Sequence, residues 1–286
     1  AWLTSQGFTQ AQFDASAFVV DVSDSGVDNG TILPGHFGLY QDGDPNLLSR
    51  VAYARLEGTP NTGSTIEGCD GHGTLNAHIL SGFNNFNSGF PHQDTAGYRY
   101  GLGVCPFVRI GASTVFDPYD FTYPAYADLT GRAYRDGSRI SNNSWGANTY
   151  GEYDVDAQAY DALVRDAQPD GSAEGQPGNQ ELVVIFAAGN AGPGTSTVGS
   201  PGTAKNVIVV GASENVRSHS TADGGNSSTG NDGCFSGDSA ANSADDIANF
   251  SGRGPCSDGR QKPDLVAPGT HITGGVAQSS TATNGN

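Results

Sequence analysis

Three short segments of the sequence carry side chains that could act together on a carbonyl group. Asp24 ends a short apolar run, His72 stands between two glycines, and Asn190 follows a second apolar run. A carboxylate can fix the tautomer of a histidine, a histidine can act as a general base, and an amide can donate a hydrogen bond to a developing oxyanion. We therefore predict catalytic roles for Asp24, His72 and Asn190. Taken singly, the same segments also fit a turn, a helix cap and a second turn.

Chemistry of this kind also needs a nucleophile, and the sequence offers one poor candidate. Ser196 belongs to a Gly-Thr-Ser segment, but it follows Asn190 closely, and small helix-forming residues do not come after it. We interpret residues 194–196 as a loop. The sequence thus predicts a base, its orienting carboxylate and an oxyanion donor, without a credible nucleophile among residues 1–286.

The elements that must hold these side chains are predicted from apolar runs that alternate with helical patterns. Short Val- and Ile-rich runs are typical of buried parallel strands, and apolar residues at helical spacing indicate helices between them. The strand-like runs are 18–22, 51–54, 108–112, 140–145, 182–187 and 207–210, and the helix-like ones are 126–134 and 157–167. This order predicts an α/β protein of three-layer α/β/α architecture with a doubly wound, mostly parallel sheet. We expect Asp24, His72 and Asn190 to converge at the carboxyl edge of that sheet, where such folds place their sites.

The segments, in their joint order, resemble the blocks of the subtilisin-like serine proteases, the subtilases. Asp24 in Asp-Ser-Gly, His72 in His-Gly-Thr and Asn190 in Ala-Ala-Gly-Asn resemble the Asp, His and oxyanion blocks of that family. Further similar segments are 103–106, 141–146, 198–201, 250–255 and 262–269. A histidine at position 72, rather than a glutamate, argues against the related sedolisin-type carboxyl peptidases.

The resemblance implies a secreted serine endopeptidase that hydrolyses peptide bonds by a Ser-His-Asp mechanism, with its nucleophilic serine beyond residue 286. Residues 1–286 would form a single subtilisin-like catalytic domain that is truncated at its C terminus. An extended substrate would bind as an added strand along two segments. The first segment is Ser144, Trp145 and Gly146, and the second is Ala187, Ala188 and Gly189. Gly146→Val is then expected to block the approach of the peptide backbone. The family usually has a small residue where this chain has His78, so the packing around that position is expected to differ.

Two alternatives stay open. The chain as given could be a catalytically inactive, peptide-binding fragment of the same fold. It could instead be an unrelated doubly wound protein that binds a small ligand, which is less favoured because no glycine-rich phosphate motif follows a strand.

The acidic composition limits the partners. The chain carries 30 Asp+Glu against 13 Lys+Arg, a net charge of −17. Nucleic-acid binding is therefore not expected, because it needs a positively charged surface. No apolar run is long enough to span a membrane. We expect the protein to act on a protein or peptide substrate and to be a monomer. The expectation allows for a further C-terminal segment or domain.

The four cysteines, an even number, suit two disulfides and an extracellular location. The preferred pairing joins Cys69 to Cys105 and Cys234 to Cys256, because it closes the shorter loops. A zinc site built from all four is less favoured, because the sequence has no Cys-x-x-Cys pair.

Loops rich in Asp, Asn and Gly are the candidates for binding calcium. Most acidic clusters are solvated surface, but Ca²⁺ prefers the oxygen ligands that such loops offer. Asp223, Asn226 and Asp232 are candidate ligands, in a loop too polar to be held by burial. We predict structural Ca²⁺ and no cofactor for catalysis.

Overall fold

The computed structural model describes residues 2–68, 70–83, 101–215 and 241–279. The chain divides into two compact units. The first unit comprises Ala1–Ser141, Gln168–Gln180 and Thr273–Asn286, and the second unit comprises Asn142–Ala167 and Glu181–Ile272.

Strands and helices alternate along the chain as predicted. The elements are α1 (Trp2–Ser5), α2 (Gln10–Ser16), β1 (Val19–Asp24), β2 (Val51–Leu56), α3 (His72–Ser81), β3 (Arg109–Thr114), α4 (Tyr126–Arg135), β4 (Ser138–Asn143), α5 (Val155–Leu163), β5 (Val183–Ala187), β6 (Ile208–Ser213) and β7 (Leu265–Pro268). Two 3₁₀ turns, Phe37–Leu39 and Gln41–Gly43, precede β2. The strand order is β2-β3-β1-β4-β5-β6-β7. None of the helices in the described ranges has the length and apolar character needed to cross a membrane.

The registers of the sheet confirm its parallel direction. Strand β3 pairs in parallel with β1 and β2, and β6 pairs in parallel with β5 and β7. Asp24 and Thr114, the last residues of β1 and β3, lie opposite each other. Asp24 therefore lies at a carboxyl end of the sheet, as its sequence context predicted.

The core of the first unit surrounds β1, all six residues of which are buried. Val22, Leu39, Val51 and Ile110 form one cluster, each at most 2% exposed. Helix α3 packs on β1 and β3, and α4 packs on β3. Ala77 of α3 belongs to the same cluster. Because burial of each large apolar side chain stabilises a protein by roughly 1.5–3 kcal/mol, this cluster holds β1 and α3 together.

The core of the second unit contains an aromatic cluster at the end of β4. Tyr160 of α5 and Phe186 of β5 are fully buried, with their ring centroids 4.8 Å apart in an edge-to-face arrangement. The ring of Trp145 lies 5.2 Å from that of Phe186, again edge to face. Such contacts stabilise beyond the area they bury, so they hold the segment after β4 in place.

Asp21 is a buried carboxylate in the middle of β1, with 1% of its surface exposed. Its Oδ1 accepts hydrogen bonds from the hydroxyls of Tyr53, at 2.8 Å, and Ser113, at 2.6 Å. Burial raises the pKa of Asp21 from 3.8 to about 6, although these two hydrogen bonds act to lower it. The carboxylate is therefore charged in a poorly solvated place at neutral pH.

Replacing Asp21 with asparagine is expected to stabilise the protein above pH 6 and to change little at pH 4. Between pH 3.8 and about 6 the folded state keeps a proton that the unfolded state has lost, so the free energy of unfolding falls as pH rises through this window. Asparagine has no charge, and its carbonyl oxygen can accept the same two hydrogen bonds, so the variant should gain about 1–3 kcal/mol at pH 8. Thermal unfolding at both pH values measures this gain. The same pH dependence in both proteins would contradict it.

Candidate active site

The glycines on either side of His72 fix its position. Gly71, immediately before α3, has a φ of +81°, a backbone conformation that residues other than glycine rarely adopt. The helix begins at His72. A Cβ atom on Gly73 would collide with the carbonyl oxygen of Gly26. Only glycine therefore lets the first turn of α3 approach the loop that follows β1.

His72 and Asp24 are in direct contact. His72 Nδ1 lies 2.7 Å from Asp24 Oδ1, which also accepts a hydrogen bond from the backbone N–H of Ser25 at 2.7 Å. The carboxylate is 3% exposed, whereas the His72 side chain is 51% exposed. The predicted contact is thus present, and one face of the imidazole stays accessible. The catalytic roles of the two residues stay predictions.

The contact sets the protonation chemistry of His72. Its hydrogen bond to Asp24 raises the pKa of His72 above the ordinary 6.5, against the effect of burial, and the charges of Asp24 and Asp70 act in the same direction. When Nδ1 donates to Asp24, Nε2 of the neutral ring is left as the acceptor. An imidazole with this tautomer can take a proton from a nucleophile and is stabilised once it is charged.

Three polar neighbours of the pair were not predicted from the sequence. Asn76 Nδ2 donates to Asp24 Oδ2 at 2.9 Å. Asp70 Oδ1 accepts the backbone N–H of His72 at 2.9 Å and the hydroxyl of Ser25 at 2.5 Å. The signal for Asn76 was available in the sequence, because residues four apart on a helix share a face. Asp70 was harder to predict, because its contact with the backbone of His72 depends on the conformation of the turn before α3.

Most of the predicted substrate-binding residues line one cavity in the second unit. It has a volume of about 340 Å³. Its lining comprises Ser144, Trp145, Gly146, Ala147, Asn148, Ala187, Gly189, Asn190, Ala191, Thr197 and Gly199. Asn190 is exposed three residues beyond the end of β5 and lines this cavity. Among the residues that the structure describes, the lining contains no charged side chain.

Ala188 is the one predicted binding residue that does not line the cavity. It is 2% exposed, and its backbone N–H donates to the carbonyl oxygen of Val210 at 2.9 Å. Its own carbonyl oxygen accepts the N–H of Gly199 at 3.2 Å. Ala188 is thus used inside the unit to hold the cavity wall.

Gly146 has a structural reason for being glycine in addition to the predicted one. A Cβ atom at this position would lie 2.7 Å from the carbonyl oxygen of Ser200. The next residue, Ala147, exchanges backbone hydrogen bonds with Ser200 at 2.8 and 2.9 Å. Gly146→Val would disturb this pairing before it could block a peptide, so the substitution does not test substrate binding cleanly.

Ser196 and His78 lie in surroundings that suit neither for catalysis. Ser196 is in a loop, as predicted, with φ +56° and its backbone N–H donating to the carbonyl oxygen of Gly254 at 3.3 Å. His78 is 2% exposed, and burial, with His36 and Arg50 nearby, lowers its pKa to about 4. Its ring packs edge to face on that of His36 at 5.0 Å. His78 is thus a neutral core residue.

The cysteine and calcium predictions involve residues that the structure describes only in part. Cys105 is half-buried and Cys256 is buried, but Cys69 and Cys234 lie outside the described residues. Asp223, Asn226 and Asp232 also lie outside them. Within the part of the chain that the structure describes, no group of three His, Cys, Asp or Glu side chains could hold a metal ion.

Comparison with known proteins identifies the family. A model described as "Subtilase family" matches residues 15–286. The chain belongs to the subtilase family, as its motifs indicated. Serine protease AprX of Bacillus subtilis (strain 168) is 36% identical over 117 residues, which are 41% of this chain and 20% of that protein. The Serine protease/ABC transporter B family protein tagD of Dictyostelium discoideum is 27% identical over 211 residues, 56% of this chain and 11% of that protein.

Solved structures share the fold at low sequence identity. The Prenylagaramide maturation protease PagA superposes with a TM-score of 0.50 at 18% identity, over 94% of this chain and 70% of that one. Sphericase gives a TM-score of 0.51 at 19% identity, over 92% of this chain and 70% of that one. These similarities and the parallel strand order confirm the predicted three-layer α/β/α fold. The chain matches about a fifth or less of the length of the two curated relatives.

Proposed function

We propose that the protein to which this chain belongs is a secreted serine endopeptidase that hydrolyses peptide bonds in protein or peptide substrates. The observation that carries the proposal is the 2.7 Å contact between the half-exposed His72 ring and the buried Asp24 carboxylate, in a chain of the subtilase family. Asp24 orients His72, His72 is the general base, and Asn190 donates a hydrogen bond to the oxyanion.

The proposed reaction needs a serine that we place beyond Asn286. As its Oγ bonds to the carbonyl carbon, Nε2 of His72 takes the hydroxyl proton, and Asp24 stabilises the imidazolium that forms. The proton then passes to the leaving amine as the C–N bond breaks, which leaves an acyl-enzyme. Water attacks the ester with His72 again as base, which releases the acid and the serine.

Ser196 is not proposed as this nucleophile. Its left-handed backbone and its loop position give it no place at the start of a helix. Without a serine from elsewhere in the protein, the chain would bind peptides without cleaving them, which is the alternative function of the same fold.

The cavity beside Asn190 suggests which side chains the substrate presents there. Within the described ranges, its lining combines alanines, glycines, Trp145 and neutral polar groups, with no charge to pair with an ionised side chain. Burying an unpaired charge is costly. We therefore propose that the cavity accepts an uncharged side chain of the substrate.

Replacing Asn148 with aspartate is expected to shift this preference towards lysine and arginine. Asn148 Oδ1 accepts the backbone N–H of Tyr150 at 3.2 Å, and aspartate can keep that hydrogen bond while adding a charge to the cavity. Because the site is exposed, we expect about a fivefold rise in the kcat/KM ratio of basic over uncharged substrates. Peptide substrates that differ at one position, cleaved by the full-length enzyme, measure the ratio.

The matched control is Asn179→Asp, which adds the same charge at an exposed position of the first unit. It should leave the ratio unchanged. Equal ratios in Asn148→Asp and the unmodified enzyme would show that the cavity does not receive the discriminating side chain.

Secretion, a monomeric state and structural calcium remain proposals. The even number of cysteines supports an extracellular location. The Asp- and Asn-rich loops support calcium binding.

A further inference from the structure

We propose that Asn76 is a positioning residue for the Asp24–His72 pair. Its side-chain amide holds the Asp24 carboxylate in the orientation that receives the Nδ1 proton of His72. This inference rests on the function proposed above, because it assigns Asn76 a role through that pair.

The geometry of α3 places Asn76 beside the pair. Asn76 follows His72 by one helical turn, and helix side chains lean back towards the N-terminus, so the two share one face. Asn76 Nδ2 donates to Asp24 Oδ2 at 2.9 Å, while His72 Nδ1 lies 2.7 Å from Oδ1. The two oxygens of one carboxylate are thus bound by two residues of the same helix.

A carboxylate needs such a contact to keep its plane, because the terminal torsion of aspartate is broad. Asp24 is 3% exposed, so the amide of Asn76 replaces the water that would otherwise hydrate Oδ2. On the other side, Oδ1 also accepts the backbone N–H of Ser25. Hydrogen bonds on both oxygens leave one orientation of the carboxylate, with Oδ1 towards the imidazole.

The third contact of Asn76 is consistent with this role. Asn76 Nδ2 lies 3.3 Å from His72 Nδ1. When Nδ1 carries the proton, both nitrogens are donors, so they do not bond to each other but converge on the same carboxylate. Asn76 therefore neither takes nor gives a proton in the reaction.

Replacing Asn76 with leucine, which has a similar size and no donor, tests the role by NMR of the His72 ring. We expect the pKa of His72 to fall by about 0.5 pH units or more, because its hydrogen bond to Asp24 is the main cause of its elevation. The downfield Nδ1–H signal should also broaden as the proton exchanges faster. An unchanged pKa and an unchanged Nδ1–H signal would overturn the inference.

Three further variants distinguish a positioning role from a general loss of stability and from a failure of the pair itself. Ile79→Ala, about two helical turns beyond His72 on the same helix, should lower the Tm and leave the pKa of His72 unchanged. Asp24→Asn should lower that pKa more than Asn76→Leu does. If Asp24→Asn has no effect, the proposed pair itself fails; if it acts and Asn76→Leu does not, only the role of Asn76 fails. Asn76→Ala, with the same expected result, replaces the leucine variant if that one does not fold.

Discussion

Replacing His72 with alanine is expected to lower kcat of the full-length enzyme by about 10⁶-fold, the loss known for the corresponding change in subtilisin itself. Without the imidazole, no group takes the proton of the attacking hydroxyl, and Asp24 has nothing to orient. The side chain of His72 is 51% exposed, so its removal should leave the fold intact. Peptide hydrolysis measures the loss, and thermal unfolding verifies that the variant is folded.

The pH dependence of the unmodified enzyme provides the control for this experiment. A histidine acts as a base only when neutral, so we expect kcat/KM to rise with pH through the raised pKa of His72, above the ordinary 6.5. The residual kcat/KM of the His72→Ala enzyme should not show this rise with pH. A folded His72→Ala enzyme that keeps a tenth of its kcat would contradict the assignment of the base.

Replacing Asn190 with leucine is expected to lower kcat by about 10²- to 10³-fold, as loss of such an asparagine does in subtilisin itself. An oxyanion donor contributes mainly where negative charge develops, in the transition state, so we expect KM to change little. Steady-state kinetics on one peptide substrate separate the two constants.

Asn148→Leu is the matched control, because Asn148 lines the same cavity. It should change KM more than kcat, since no oxyanion role is assigned to it. If both variants reduced kcat equally, the loss at Asn190 would reflect a damaged cavity and not a missing donor.

Much of the fold was predictable because parallel strands and their helices leave strong local patterns. The run 18–22 predicted β1, and the helical pattern of 126–134 predicted α4. Strand β7 (Leu265–Pro268) was not predicted as a strand, because its residues are all exposed and its sequence contains proline.

The details of the site were less predictable because they depend on contacts between distant residues. The hydrogen bond from Asn76 to Asp24 joins positions 52 apart. Gly146 contacts the backbone of Ser200, and Ala188 is buried although its neighbours line the cavity. Such contacts follow from how strands and loops pack, which no single segment of the sequence specifies.

Asp21 and His78 show the same limit for buried polar groups. A polar residue in an apolar strand or helix is usually expected at the surface. Asp21 instead accepts hydrogen bonds from three hydroxyls, those of Tyr53, Ser113 and Ser141. His78 packs on the ring of His36. Their partners lie on other elements, so their burial could not be foreseen from spacing alone.

Covalent labelling with a serine-directed fluorophosphonate probe tests the central claim most directly. The probe traps a serine whose proton a neighbouring histidine removes, so it reports the Asp24–His72 pair and the nucleophile together. We expect no labelling of chain 1–286, and labelling of the full-length protein on a serine beyond Asn286 that His72→Ala abolishes. Robust labelling of chain 1–286 at Ser196, abolished by His72→Ala, would contradict the proposed mechanism and make this chain a complete enzyme.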